Sequence, residues 1–347
     1  MSTAESSFSK FRSRPRQAVR LSQESLVRES FLADGGTLPL VIEPAAENLN
    51  LVSWAASNRE GVRERIDRHG GILFRNFDVK SVEVFEKVIE SVAGEPLRYT
   101  ERSSPRSAVS GRIYTSTDYP PQYPIFLHSE QSYNLRFAML ISFCCMIQPA
   151  EGGSTPIADT RKVYQRIDPE IRQRFIERGY RYVRNFGDGF GLSWQEAFQT
   201  SDPAAVERYC HDNQIEFEWK EDGRRLRTSQ VRRVVARHPR TGELSWFNHL
   251  TFFHVSTLVS SVRDSLLREF CEGDLPNNTY YGDGEPVEPE VMEHLRDAYL
   301  QETVTFPWQA GDVLLLDNIL VAHGRQPFSG DRKVVVAMAE PVSWADV

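Results

Sequence analysis

A chain of 347 residues that is 40% hydrophobic and 26% charged, with a net charge of −7, has the make-up of an ordinary globular protein. The negative balance argues against a nucleic-acid surface; no apolar run is long enough to cross a bilayer and no apolar-cored leader opens the chain, so a cytoplasmic protein is expected. The four cysteines (Cys144, Cys145, Cys210 and Cys271) show no C-x-x-C spacing and read as mostly structural, reduced thiols, with Cys144 and Cys145 on opposite faces of a strand.

Residues 1–30 interleave Ser and Gln with Lys10, Arg12, Arg14, Arg16 and Arg20, the composition of a basic, flexible arm. A strand is predicted at 38–42, a helix over 50–68 closed by Gly70-Gly71, and a strand at 72–77. A second helix enters through Ser81 and carries Val84, Phe85, Val88, Ile89 and Val92 at helical spacing. Residues 100–125 are rich in turns and read as a loop over the mouth of a site, where Arg102, Arg112 and Tyr114 are candidates by position. Beyond it come a buried strand at 137–146, a Gly152-Gly153 turn, and helices entered at Asp159 or Thr160 and at Pro169. A strand at 181–184, a helix over 193–213 and strands at 215–219, 231–237 and 244–247 follow. A helix over 258–271, a turn-rich stretch at 277–289, a helix over 289–301 and strands at 313–317 and 332–339 complete the chain. No internal repeat is present. Residues 31–347 are expected to form one mainly β domain with inserted helices, its core a double sheet of jelly-roll type.

The chemistry concentrates in Phe126-Leu127-His128-Ser129-Glu130-Gln131. If the stretch is extended, His128 and Glu130 leave one face together, which supplies two thirds of a 2-His-1-carboxylate iron site. The missing histidine should follow a late buried strand, and His323 after the run 308–318 has that context. Three protein ligands leave room for a bidentate co-substrate and O2. His69, His211, His238 and His294 read as ordinary hydrogen-bonded residues. His249 and His254 are rivals for pairing with His128, without the late-strand context. Asn248 is a candidate substrate contact, Trp246 and Phe247 are core, and Asp159 and Asp317 are turn and cap residues. The stretch from Tyr280 to Gly284 reads as a turn before it reads as a lid.

Four stretches carry a resemblance: His128-Ser129-Glu130, the run from Gly152-Gly153-Ser154-Thr155 to Asp159, Trp246-Phe247-Asn248, and the run from Gly311-Asp312 through Asp317-Asn318 and His323 to Arg332. In order, over roughly residues 70–340, they resemble the TauD/TfdA branch of Fe(II)/2-oxoglutarate dioxygenases. Within it they are most similar to the SyrP-like, clavaminate-synthase-like members of nonribosomal peptide and amino-acid pathways. The resemblance implies Fe(II), 2-oxoglutarate and O2, with iron bound by His128, Glu130 and His323. It implies that Arg332 pairs with the distal carboxylate of 2-oxoglutarate, Arg325 being its rival, and that Thr155 adds a hydroxyl. Asn248, Arg112 and Tyr114 would lie near the substrate. The implied reaction is hydroxylation of an unactivated C–H of an amino acid, free or tethered to a peptidyl carrier protein, with release of succinate and CO2. No nucleic-acid or membrane partner is implied. Desaturation or cyclisation, a non-catalytic jelly-roll metal-binding protein, and a zinc hydrolase on the same ligands are the other readings. Glu130 stands where taurine dioxygenases carry Asp, which makes taurine a poor substrate. In the related halogenases a small residue replaces this carboxylate and leaves room for chloride, so Glu130 argues against halogenation.

Overall fold

Alternation along the long strand Arg136–Ile147 divides its apolar side chains between two interiors. Leu140 and Cys144 face a helical layer, while Ile141, Phe143 and Cys145 face a second sheet. The computed structural model that shows this describes residues 26–97, 108–116, 119–187 and 191–347. Arg102 and the basic arm up to residue 25 lie outside the described residues.

The large sheet has eight strands in the order Val27–Phe31, Leu40–Pro44, Gly71–Phe74, Val313–Asp317, Arg136–Ile147, Lys333–Ser343, Ile113–Thr115 and Ala108–Ser110. Among the described residues of this sheet, only the pairing of Leu40–Pro44 with Gly71–Phe74 is parallel. Helices Leu51–Ser57, Arg59–His69 and Val82–Ala93 cover one face, burying Val62, Ile66, Phe85, Val88 and Ile89 against Ile42, Ile72, Phe74 and Leu315. Opposite the other face lies a four-stranded sheet in the order Thr303–Val304, Ile157–Asp159, Val321–Arg325 and Ile125–His128. Leu73, Ile141, Leu314, Leu316 and Val336 of the large sheet share one apolar cluster with Ile157 and Val321 of the small one. The outer face of the small sheet, through Leu127, Ala158 and Ala322, packs on a further layer that includes Tyr180, Tyr182, Leu250, Leu295 and Tyr299. That layer contains an antiparallel sheet of Glu216–Lys220, Arg225–Arg232, Tyr180–Phe186 and Asn277–Tyr281. The protein is mainly β with inserted helices, and none of the described helices is long and apolar enough to cross a membrane.

Local chemistry explains where the sequence reading and the structure agree and where they part. Ser81 accepts from the Val84 N–H and caps its helix. Gly70 closes the preceding helix at φ 78°, and a Cβ there would sit 2.6 Å from Val321 Cγ2. The helix expected over 50–68 is two helices. Asn58 leaves helical geometry at φ −120° and ends the first helix, bonding the Trp54 carbonyl with both its backbone N–H and its side chain. The helix expected over 193–213 also divides: Gln199 is left-handed at φ 55°, and Pro203 opens a new helix capped by Asp202. The turn-rich stretch after residue 277 begins with the strand Asn277–Tyr281, whose polar residues pair with Tyr180–Phe186. The strand expected at 231–237 is Arg225–Arg232 followed by Val235–Arg237. Part of the expected mouth loop forms the strands Ala108–Ser110 and Ile113–Thr115 at the edge of the large sheet.

Leu316 is fully buried between the two sheets. Leu316→Ala should cost about 2–5 kcal/mol in denaturant-induced unfolding, and a loss under about 1 kcal/mol would show that the sheets do not pack through it. Burial, reinforced by Arg296, pushes His254 from its ordinary 6.5 down to about 4. Between these values the unfolded chain binds the additional proton, so stability falls as pH is lowered through this window. The thermal midpoint of His254→Gln should therefore depend less on pH between 6.5 and 4 than that of the parent. Equal slopes in the two proteins would remove His254 from the account.

Candidate metal centre

The side chains on either side of the two histidines show which way each histidine faces. Leu127 and Ala322 belong to the outer cluster and Val321 to the inner one, so His128 and His323 point into the gap between the sheets. His323 stands opposite His128 in antiparallel register, with ring centroids 4.5 Å apart. The expected extended stretch holds only as far as His128, where the strand ends. Glu130 lies in the following turn, which Gln131 completes at φ 55°. Glu130 still reaches the same point, with Oε2 3.8 Å from His323 Nε2. One ligand atom from each of His128, Glu130 and His323 lies within 4.8 Å of the others, and all three residues are buried.

His128 Nδ1 lies 2.8 Å from the Phe126 carbonyl oxygen. A carbonyl only accepts, so Nδ1 carries the hydrogen and the lone pair of the neutral ring is on Nε2. Phe252 stacks on His128 at 4.5 Å and Phe143 lies 5.0 Å from the His323 ring. Two imidazoles and a carboxylate without thiolate suit Fe(II) and leave positions open. The nearby Cys145 thiol is pushed up to about 12 by burial and stays neutral.

Beside the histidines a cavity is lined by Ser116, Phe143, Thr155, Arg325 and Arg332, among others. The two arginines differ in their partners. Arg325 donates to the carbonyls of Tyr119, Pro120 and Tyr123, each at 2.8 Å. Arg332 donates through Nε to the Gly153 carbonyl at 3.0 Å and through one terminal nitrogen to Ser116 Oγ at 3.1 Å. Its other terminal nitrogen has no partner among the described residues. The Phe328 ring lies 5.3 Å from the Arg325 guanidinium and 5.4 Å from that of Arg332. Burial and the charge of Arg325 push Arg332 down to about 10, which leaves it a cation at neutral pH. Thr155 accepts from the Trp308 indole at 3.1 Å, so its own hydroxyl hydrogen is free to donate. The donor set therefore fits an anion such as a carboxylate beside a metal.

The three substrate candidates do not line this cavity. Arg112 pairs with Glu95 and donates to the Pro96 carbonyl. Tyr114 is buried in the inter-sheet cluster. Asn248 gives its amide to the Val234 carbonyl and takes the Leu250 N–H. Ser116, two residues beyond Tyr114 and outside the sequence reading, is the residue that reaches the cavity. Sequence reasoning also gave no site role to Phe143, Phe252 and Trp308, although the alternation of 137–146 could have flagged Phe143. His249 bonds Ser132 at 2.6 Å, and His254 bonds Ser256 at 2.7 Å; neither joins the three-residue group. Asp67, His238 and Asp317 also converge, but the Arg240 guanidinium bridges both carboxylates. A larger cleft of about 940 Å³, lined by Asn134, Arg136, Asp212, Arg233 and Trp344 among others, contains none of the three candidate ligands.

The model of the "Taurine catabolism dioxygenase TauD, TfdA family" matches residues 37–338. The dapdiamide synthesis protein DdaC of Enterobacter agglomerans is 43% identical over 281 residues, 81% of this chain and 85% of its own. A clavaminate synthase-like protein of Arabidopsis thaliana is 31% identical over 280 residues, 78% of this chain and 82% of its own. Among solved structures, PvcB of Pseudomonas aeruginosa aligns with a TM-score of 0.53 at 16% identity, over 93% of this chain and 94% of that one. AAD-2 in complex with Mn(II) and N-oxalylglycine aligns with a TM-score of 0.51 at 13% identity, over 90% and 96%. The chain belongs to the TauD/TfdA family, in its clavaminate-synthase-like branch, and is an oxygenase dependent on Fe(II), 2-oxoglutarate and O2.

Proposed function

We propose that this enzyme hydroxylates an unactivated C–H bond of an amino acid, free or tethered as a thioester to a peptidyl carrier protein, in natural-product biosynthesis. The two facing sheets are read as the jelly roll of one domain, which the strand Val27–Phe31 carries back past the expected boundary at residue 31, so that a basic arm is read only up to residue 25; the cytoplasm is read as the place of action. The observation that carries the reading is the convergence of His128, Glu130 and His323 beside the cavity of Arg332 and Thr155. The relative at 43% identity, named for dapdiamide synthesis, supports a biosynthetic setting.

In this reading His128 Nε2, the Glu130 carboxylate and His323 hold iron. Arg332 takes the distal carboxylate of 2-oxoglutarate with its uncommitted terminal nitrogen, and Thr155 donates its hydroxyl hydrogen to the same molecule. Arg325 acts at one remove, holding the carbonyls of Tyr119, Pro120 and Tyr123 from the cavity wall. Phe143 and Phe252 put apolar surface beside the two histidines, which keeps water out and suits a hydrocarbon segment of the substrate. Bound there, iron and 2-oxoglutarate supply O2 activation and the oxidising power for C–H cleavage, with succinate and CO2 as co-products.

Anaerobic protein with Fe(II) should develop a visible charge-transfer band only when 2-oxoglutarate is added, and His323→Ala should lose it. A parent protein without the band at saturating iron and 2-oxoglutarate would overturn the site. Free and carrier-tethered amino acids are then screened for stimulated succinate release with a product heavier by one oxygen. If no amino acid in either form stimulates release, the substrate class is wrong. The arginine roles separate by exchange for lysine. Arg332→Lys should raise the 2-oxoglutarate KM by about tenfold or more, since a hydrogen bond between charged groups is worth roughly 1.5–3 kcal/mol. Arg325→Lys should lower the thermal midpoint and leave that KM nearly unchanged; the opposite pattern would exchange the two roles.

A further inference from the structure

The end of the strand Val313–Asp317 leads into a short connection to Val321–Arg325, the strand that carries His323. Asn318 opens that connection and is fully buried. Its Oδ1 accepts the Glu130 N–H at 2.7 Å, and its Nδ2 donates to the Glu130 carbonyl at 2.9 Å and to the Ala138 carbonyl at 2.8 Å. Its own N–H bonds the Met139 carbonyl at 2.7 Å. One N–H and two carbonyls around the carboxamide admit only one orientation of its oxygen and nitrogen.

From this we infer that Asn318 is a positioning residue for the metal centre, the clamp that sets where the Glu130 carboxylate stands relative to His323. Both backbone polar groups of Glu130 end on this one side chain. That matters because Glu130 lies in a turn beyond the strand end, where no sheet ladder fixes it. The same side chain ties the turn to the Arg136–Ile147 strand and sits at the root of the connection to His323. Two of the three candidate ligands are therefore referred to one buried amide. Asp317 holds the connection from the other side, its Oδ1 accepting the N–H groups of Ile319 and Leu320. The inference rests on the reading of Glu130 as a metal ligand.

The test measures Mn(II) binding without turnover, by electron paramagnetic resonance titration of the full chain, beside thermal melts of the metal-free protein. Asn318→Asp keeps the acceptor for the Glu130 N–H and loses both donated bonds; Asn318→Ala loses all three. Each should weaken Mn(II) binding by about 10–100-fold, the usual effect of removing a group that orients a metal ligand. Val62→Ala, in the helical layer far from the cavity, serves as a control for lost stability alone and should bind Mn(II) like the parent. Variants of Asn318 that fold and bind within twofold of the parent would overturn the clamp, and so would failure of both to fold, which would make Asn318 a residue of the fold only. Glu130→Ala is titrated alongside. If it also binds like the parent, the ligand reading itself fails; if it loses Mn(II) while the Asn318 variants do not, only the clamp fails.

Discussion

The site depends on one register, His323 opposite His128 across two strands of the small sheet. Side chains alternate strictly along a strand, so a slip by one residue would turn His323 to the outer layer and bring Ala322 or Gly324 inward. Several features resist the slip. Val321 is held in the inter-sheet cluster and Ala322 in the outer one, and His323 also pairs with Ile157 on its other edge. At Gly324 a Cβ would lie 2.6 Å from the Ile125 carbonyl oxygen, so the strands approach there as only glycine allows. The register becomes irregular between His323 and Arg325, just past the residue it must fix. The helical layer contributes at a distance, since Gly70 closes its helix directly against Val321.

Charge in the interior is arranged around the same strands. Burying Glu130 and Arg325, and half-burying Arg332, in one gap is costly unless each is compensated. Arg325 is compensated at its two terminal nitrogens by three backbone carbonyls, while its buried Nε has no hydrogen-bond partner among the described residues. Arg332 is compensated only in part, and no carboxylate of the described residues forms an ion pair with either guanidinium. The carboxylate and imidazoles collect on one side and the free cationic capacity on the other. A divalent cation chelated by a dianion matches that division, which neither would match alone.

Much of this was legible in the sequence, and the reason is the same wherever it was. Long buried strands, the helix capped at Ser81 and the pair of His128 with Glu130 are local patterns with local causes. The rest depends on partners far away in the chain. The two helix breaks are the exception, being local: Asn58 ends one helix on the Trp54 carbonyl, and the other divides at left-handed Gln199 before Asp202 and Pro203 open a new one. The strand Asn277–Tyr281 begins with polar residues that make sense only beside Tyr180–Phe186. The spacing of His128 and Glu130 predicts a strand through both, and Glu130 reaches the same point from a turn. Ser116, just past the end of the strand Ile113–Thr115, has no pattern to mark it beside the aromatic Tyr114, yet the inter-sheet cluster takes the Tyr114 ring and the Ser116 hydroxyl receives Arg332.

The dipeptide Asp317-Asn318 shows how the two levels meet. Asp317 faces the exterior of the site, where it receives His238 and Arg240 and fixes the backbone of the connection; Asn318 faces the interior and holds Glu130. A metal bound by His128, Glu130 and His323 would cross-link a strand, a turn and a second strand from distant parts of the chain. In the unfolded chain those three side chains share no site, so metal affinity adds directly to the stability of the folded state by mass action. Whatever holds the three side chains in place beforehand is therefore work that the metal need not do. The reciprocal amide at Asn318, the register at His323 and the carbonyl bond that fixes the His128 ring are three devices acting on three ligands, all formed by the chain itself.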